Sequence, residues 1–575
     1  MNSFIDCIRM ELPCICLLAV IQLSHQWSTP EADTYRAAVV EFNPQVSNTN
    51  SSPIDANSRR YVSFIQRAAA SEVDIIVFPE DGLTTLDLPG REAMEPWSTL
   101  IPVDYNPCMR NDTAVHKALK RISCAAREGK MYVVINIAEK LPCDGERCPE
   151  DGKFLFNCQA VFDRDGKIIA KYRKTHLFDE SQFDILQSPE VVTFDTDFNV
   201  TFGTFICFDM LFKEPALNLT RIHHVTDIVY STAWFSELPF LTAIQAQSEW
   251  AYSEDVNFLA SGYNRPHLAS FGSGIYLGKK GIAKATIGAR GDELLIADVP
   301  KKSRKLLTES IRASLRREFP VKTTEPRHDE LRRKRSEQTE LGVERDSNSP
   351  SDFNLWQDPG LPTYETRPIN SIIRQEKLCQ RDFCCDFTVE TSRVDSSTRY
   401  RLTVVDGIRT FVHHTTIGYQ ACGVVLCGND SINSCGLRMN SETTFTSVKI
   451  TATFVNLENL LIFPNSVNSS LMPLDWTYSE KIEGDEVHIE AVLNERAKNV
   501  QTLGLYARKF ERDVRPPPRA LRNTSWSVAV AVQTLLFVLL LVASAALLWY
   551  YKCSGYKRGN EVTKGEIPYK RLQQS

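Results

Sequence analysis

The stretch that most constrains this chain is TFGTFICFDMLFKEP, residues 201–215, where an apolar run with strand character ends in Cys207 and an amphipathic stretch begins at once. That order sets a thiol at a strand-to-helix elbow. A helix starting just after Cys207 would aim free backbone N–H groups and the positive end of its dipole at the sulfur, which favours thiolate and helps to hold an oxyanion. The same residues also suit a buried structural cysteine, and this stretch alone does not separate the two.

Two upstream stretches shift that balance. In DIIVFPEDG the apolar run 75–78 meets Pro79 and delivers Glu80 at its C-terminal end, where open α/β sheets place their sites. In IIAKYRKTHLF another apolar run delivers Lys174. Either alone would pass for a surface charge at a strand end. Together, a carboxylate, an ammonium and a thiol at strand ends supply a base, an electrophile and a nucleophile.

These residues carry a resemblance. Glu80 after an apolar strand, Lys174 in a YRK motif, and Cys207 in G-x-x-x-C-x-D with Gly203 and Asp209 at its flanks resemble the nitrilase superfamily in type and in order. The similarity narrows to the vanin (pantetheinase) and biotinidase branch through TFICFDMLF, STAWFSELPFL at 231–241, VNFLAS at 256–261 and GSGIY at 272–276. KLCQRDFCCDF at 377–387 resembles that branch's C-terminal domain, so the likeness covers roughly residues 35–513.

At 575 residues the chain exceeds a single core, so two or three domains are expected. A net charge of −5 with no basic stripe excludes a nucleic-acid footprint. Sequons at Asn50, Asn111, Asn199, Asn218, Asn429, Asn468 and Asn523, beside clustered cysteines, point to glycosylation, the secretory pathway and an oxidising compartment.

In chain order, residues 1–26 read as a signal peptide, with a short apolar run at 12–23. Residues 35–300 alternate strand-like runs (AAVVEF, VDIIVF, MYVVINIA, FNCQAVFD) with helical periodicity, which argues a layered α/β domain. The resemblance makes this a nitrilase-type α-β-β-α sandwich. Residues 301–351 form a charged linker in which RRKR at 332–335 is either a convertase site or a solvated charge run. Residues 352–513 are β-rich, and their six cysteines can form three disulfides. Residues 526–551 are apolar and long enough to span a bilayer, and Lys552, Lys557 and Arg558 set the tail, 552–575, on the cytoplasmic side. A lipid-anchor signal is the rival, but such a signal ends in its hydrophobic tail, so a single-pass type I protein at the plasma membrane is expected.

Among the other cysteines, Cys143 and Cys148 bracket a short loop and are expected to pair, Cys124 on a helix face is expected to stay a free buried thiol, and Cys108 is matched with Cys158. No second Cys or His pair follows 143–148 at usable spacing, so no metal is expected. No cofactor is implied, and the oligomeric state is not legible.

The resemblance implies an amide hydrolase with Cys207 as nucleophile, Glu80 as proton acceptor, and Lys174 as proton donor and oxyanion stabiliser together with the Phe208 N–H. Trp234 is either a wall of the substrate pocket or an ordinary core aromatic, and Glu180 is either an auxiliary carboxylate or a surface glutamate. The implied small-molecule substrate is a pantothenyl or biotinyl amide. The cell-surface arrangement is similar to the vanins, whereas KFERD at 509–513 is similar to biotinidase. The loop GYNRPHLASF at 262–271 departs from the vanins and leaves the substrate open. A catalytically silent ectodomain with an adhesion or signalling role is the rival of another class; the presence of all three site groups weighs against it.

Overall fold

Strands Thr34–Glu41 and Ile75–Val77 carry unbroken apolar runs, as strands covered on both faces must. In the computed structural model, Ala38, Val40 and Ile76 turn to one side and meet Tyr61, Ile65 and Ile122 of helices Ile54–Ala69 and Lys117–Gly129. Ala37, Val39 and Val77 turn to the other side and meet Phe202, Val229 and Leu259 of a second sheet. The structure describes residues 27–46, 52–110, 113, 115–288, 291–302, 353–370, 372–411, 415–514 and 525–557. The expected signal peptide, linker residues 303–352 with RRKR, Asn50, Asn111, Asn523 and the tail beyond residue 557 lie outside the described residues.

The first sheet runs, in spatial order, Glu293–Pro300, Thr34–Glu41, Ile75–Val77, Tyr132–Pro142, Lys153–Phe162, Ile168–Arg173, with Ser98–Thr99 beside Tyr132–Pro142. The second runs Ile282–Thr286, Ser273–Leu277, Asn257–Ser261, Asp227–Ser231, Thr201–Ile206, Val192–Asp195. Both centres are parallel. On the outer face of the second sheet, Phe205 and Phe258 pack on Trp250 of helix Ala243–Glu254, at ring distances of 5.2 and 5.0 Å. The result is the α-β-β-α sandwich.

The second domain stacks two five-stranded antiparallel sheets. Its inner layer includes Phe387, Val389, Val424 and Ile450, from strands that alternate apolar and polar residues. Cys385–Cys422 ties one sheet to the other, while Cys379–Cys384 and Cys427–Cys435 close short loops. This domain covers helix Ala243–Glu254 with strand Leu460–Asn468: Gln245 Nε2 donates to Asn465 Oδ1 at 2.6 Å, and Asn465 Nδ2 donates to Phe240 O at 2.9 Å. The fully buried Arg508 donates to Leu211 O at 2.8 Å and is neutralised by Asp513 at 2.7 Å. The two domains therefore share one continuous apolar cluster, from Phe205 through Leu461 and Phe463 to Tyr506.

The cysteines of the first domain correct one expectation. Cys143 pairs with Cys148, but Cys124 pairs with Cys108, and Cys158, like Cys207, is a buried free thiol. The turn Pro107–Met109 docks on helix Lys117–Gly129 through Cys108 N donating to Ser123 Oγ at 3.0 Å, which brings the two Cα atoms to 4.9 Å. Cys158 instead sits mid-strand in the apolar layer under the helices. Of the described sequons, Asn199 and Asn429 are exposed, and Asn218 and Asn468 are half-buried.

Helix Ser525–Lys557 forms a unit of its own. Its stretch Gln533–Tyr550 carries no charged residue, and 18 residues at about 1.5 Å each are long and apolar enough to cross the hydrocarbon core of a bilayer.

One core carboxyl makes stability depend on pH. Glu41 is fully buried, accepts from Gly272 N at 2.9 Å and from the Ser273 hydroxyl, and burial pushes its pKa up to about 8 from the ordinary 4.5. A folded-state pKa above the unfolded value contributes stability that is present below pH 4.5 and is lost as pH rises toward 8. Glu41→Gln is expected to flatten the fall in melting temperature between those limits. An unchanged slope in a thermal melt series would show that Glu41 does not carry it.

Candidate active site

Each expected site residue leaves the end of a strand. Glu80 follows Ile75–Val77, Lys174 follows Ile168–Arg173, and Cys207 follows Thr201–Ile206. The two sheets bring these ends together. Lys174 Nζ donates to Glu80 Oε1 at 2.6 Å and to Glu180 Oε2 at 2.7 Å, with Lys174 and Glu80 each 2 % exposed. The second oxygen of Glu80 accepts from Ala233 N at 3.0 Å, so both are fixed.

Burial alone would strip the proton from Lys174, but Glu180 and Glu80 outweigh it and hold the ammonium charged. The Cys207 thiol is pushed well above its ordinary range, first by burial and then by the Glu80 charge, with Lys174 opposing. This corrects the expectation of a helix-stabilised thiolate. The helix itself is different too: Cys207–Leu211 is a single 3-10 turn, Phe212 and Glu214 are extended, and only then does a wide helix, Lys213–Ile222, form around Pro215. Proline restricts its predecessor to extended geometry, so no continuous helix points its dipole at the sulfur. Burial and the Glu80 charge therefore disfavour the thiolate, and a base is needed to ionise the thiol.

The elbow is held by Asp209, which accepts from Ile206 N at 3.1 Å, Tyr172 Oη at 2.7 Å and His176 N at 2.8 Å. Tyr230 Oη donates to Cys207 O at 2.9 Å. These bonds hold Cys207 at φ +46°, a left-handed conformation that costs a side-chain-bearing residue about 1–3 kcal/mol.

Glu180 is no surface glutamate: besides Lys174 it accepts from Phe178 N at 2.8 Å and from Asn157. Asn157 was missed in the sequence. Its amide nitrogen also donates to Glu80 Oε1 at 2.8 Å, its oxygen accepts from Asn136 Nδ2 at 2.6 Å, and Asn136 Oδ1 accepts from Asp81 N at 2.9 Å. The signal was available, since Asn136 and Asn157 are polar residues inside apolar strand runs. Glu80, Asp81 and Glu180 bring carboxylate oxygens within 4.8 Å of one another, and the cation that Glu80 and Glu180 face is Lys174.

Cys207 opens into an apolar cleft lined by Phe208, Leu211, Trp234, Phe235 and Leu241, together with Phe178. Trp234 is thus a pocket wall, anchored by Nε1 donating to Leu241 O at 2.9 Å. Trp356 and Phe411 of the second domain complete the lining.

Comparison with known proteins assigns the class. The carbon–nitrogen hydrolase family model matches residues 36–253, the part that carries the site, and the vanin C-terminal domain model matches residues 353–513. The protein is an amidohydrolase of the nitrilase superfamily. Vanin-like protein 1 of Drosophila melanogaster is 34% identical over 85% of this chain and 88% of its own length. Biotinidase of Homo sapiens is 30% identical over 84% of this chain and 90% of its own, and pantetheinase of Homo sapiens is 29% identical over the same shares. The chain belongs to the vanin and biotinidase family.

Proposed function

We propose that this protein is a cell-surface enzyme that cleaves pantetheine to pantothenate and cysteamine through a thioester on Cys207. Glu80 takes the thiol proton as sulfur attacks the carbonyl carbon. Lys174 and the Phe208 N–H stabilise the oxyanion, the C–N bond breaks as Glu80 returns the proton to the amine, and Glu80 then activates water against the thioester. Glu180 and Asn157 hold Lys174 and Glu80 in register. The observation that carries this reading is the buried Lys174–Glu80 contact of 2.6 Å at the same strand-end cluster as Cys207, whose thiolate burial and the Glu80 charge disfavour, so that a base is called for.

Hydrolysis of biocytin is the second reading, favoured by the likeness to biotinidase. The apolar helix Ser525–Lys557 supports anchoring in the membrane with the catalytic domain outside the cell, and the exposed sequons Asn199 and Asn429 agree with that side. The full chain in detergent, assayed with pantetheine and biocytin side by side, is expected to release cysteamine at the higher kcat/KM. A preference for biocytin would replace the substrate but keep the mechanism, whereas turnover of neither would refute the substrate assignment. Antibody access to an N-terminal-domain epitope on unpermeabilised cells tests the orientation.

A further inference from the structure

The loop at 262–271 and the segment that follows the linker meet beside the cleft. The loop folds into a small hairpin in which Asn264–Arg265 pairs with Ser270–Phe271. Segment 353–358 docks on it: Asn354 N donates to Pro266 O at 2.9 Å, Asn354 Nδ2 donates to His267 O at 2.5 Å, and the Phe353 ring stands edge-on to Phe271 at 5.3 Å. The segment then continues as a parallel strand, Trp356–Gln357, along Glu237–Leu238, with Trp356 N donating to Ser236 O and Asp358 N to Leu238 O, both at 2.9 Å.

This docking lays Trp356 on the cleft. Its ring stacks on Phe235 at 4.7 Å and lies 6.2 Å from Phe178. Phe411, also from the second domain, stands 5.2 Å from Phe208, the residue next to the nucleophile. Among the described residues, the one charged group in the lining, Glu237, is neutralised by Arg409 at 2.6 Å, and the Arg409 guanidinium covers the Phe411 ring at 4.0 Å. A charged group entering this cleft would lose its hydration and meet no free counter-charge among those residues.

We infer that segment 353–358, docked by hairpin 262–271, is a specificity element, and that Trp356 and Phe411 select amides whose uncharged acyl body is long enough to pack against their rings. This rests on the proposed reading of Cys207 and on cysteamine as the smaller, departing part, which leaves the acyl part to fill the cleft.

The test uses the full chain in detergent and amides that share one leaving amine: pantetheine, N-octanoylcysteamine and N-acetylcysteamine. Trp356→Ala and Phe411→Ala are each expected to lower kcat/KM for the two long amides about tenfold relative to N-acetylcysteamine, the scale of a lost apolar pocket contact. Trp356→Phe is expected to restore most of the loss. Phe353→Ala, which lies outside the cleft lining, is expected to shift the ratio in the same direction by loosening the segment. Equal losses on long and short amides, or no change on either, would overturn the inference. A second readout does not need turnover: alkylation of Cys207 by iodoacetamide and by N-phenyl iodoacetamide, followed by peptide mass spectrometry. Wild type is expected to favour the phenyl reagent, and Trp356→Ala to lose that preference. A wild type that cleaves no amide yet shows this preference would refute the proposed reaction and keep the specificity element, while a wild type that cleaves pantetheine without the variant effects would do the reverse.

Discussion

Cys207→Ala is expected to lose at least about 10⁴-fold in kcat, the scale seen when a covalent nucleophile is removed, with its fold intact. Stability is expected to change little, because the substitution removes a single sulfur atom from a side chain that lines the cleft. Backbone strain adds a second, quantitative expectation. At φ +46° a β-carbon is unfavourable, and glycine adopts that conformation without the cost. Cys207→Gly should therefore be more stable than Cys207→Ala by about 1 kcal/mol while being equally inactive. Urea denaturation of both variants, alongside kcat, separates strain held at the site from the chemistry of the sulfur. An alanine variant that retains turnover would remove the nucleophile from the account.

Lys174→Met has the other large effect, and it should appear in both rate and stability. The ammonium lies between Glu80 and Glu180, and its removal leaves two buried carboxyl groups without their cation. Breaking such a pair from one side costs about 3–5 kcal/mol. Losing an oxyanion donor costs about 10²–10³ in kcat. Lys174→Met combined with Glu180→Gln removes one of the stranded charges, so it should recover part of the stability and none of the rate. Recovery of rate with stability would mean that Lys174 acts only as a structural cation; a Lys174→Met variant within tenfold of wild type would contradict its part in the chemistry.

The sequence revealed what parallel sheets make regular. Glu80 and Cys207 were visible because each follows an apolar strand in the parallel part of its sheet, Lys174 because it follows the antiparallel edge strand Ile168–Arg173, and the structure gathers those ends. It revealed less where contacts cross long separations. Asn157 acts from the middle of an antiparallel strand, through an amide whose partners lie 77 and 23 residues away. Trp356 and Phe411 reach the cleft from beyond the linker, and no periodicity in residues 35–300 points to them. The pairing of Cys108 with Cys124 depends on a 3-10 turn docking against a helix, whereas spacing alone matched Cys108 with the wrong partner. The helix expected after Cys207 failed on a local rule that was legible, since Pro215 forces Glu214 out of helical geometry.

The central claim is that acyl transfer passes through the Cys207 sulfur. Wild-type protein mixed with pantetheine, quenched in acid within the first turnovers and digested, gives the peptide that contains Cys207. The account predicts that this peptide carries the pantothenoyl group as a thioester that hydroxylamine removes. Steady release of cysteamine with that peptide unmodified, or with the acyl group on another residue, would contradict it.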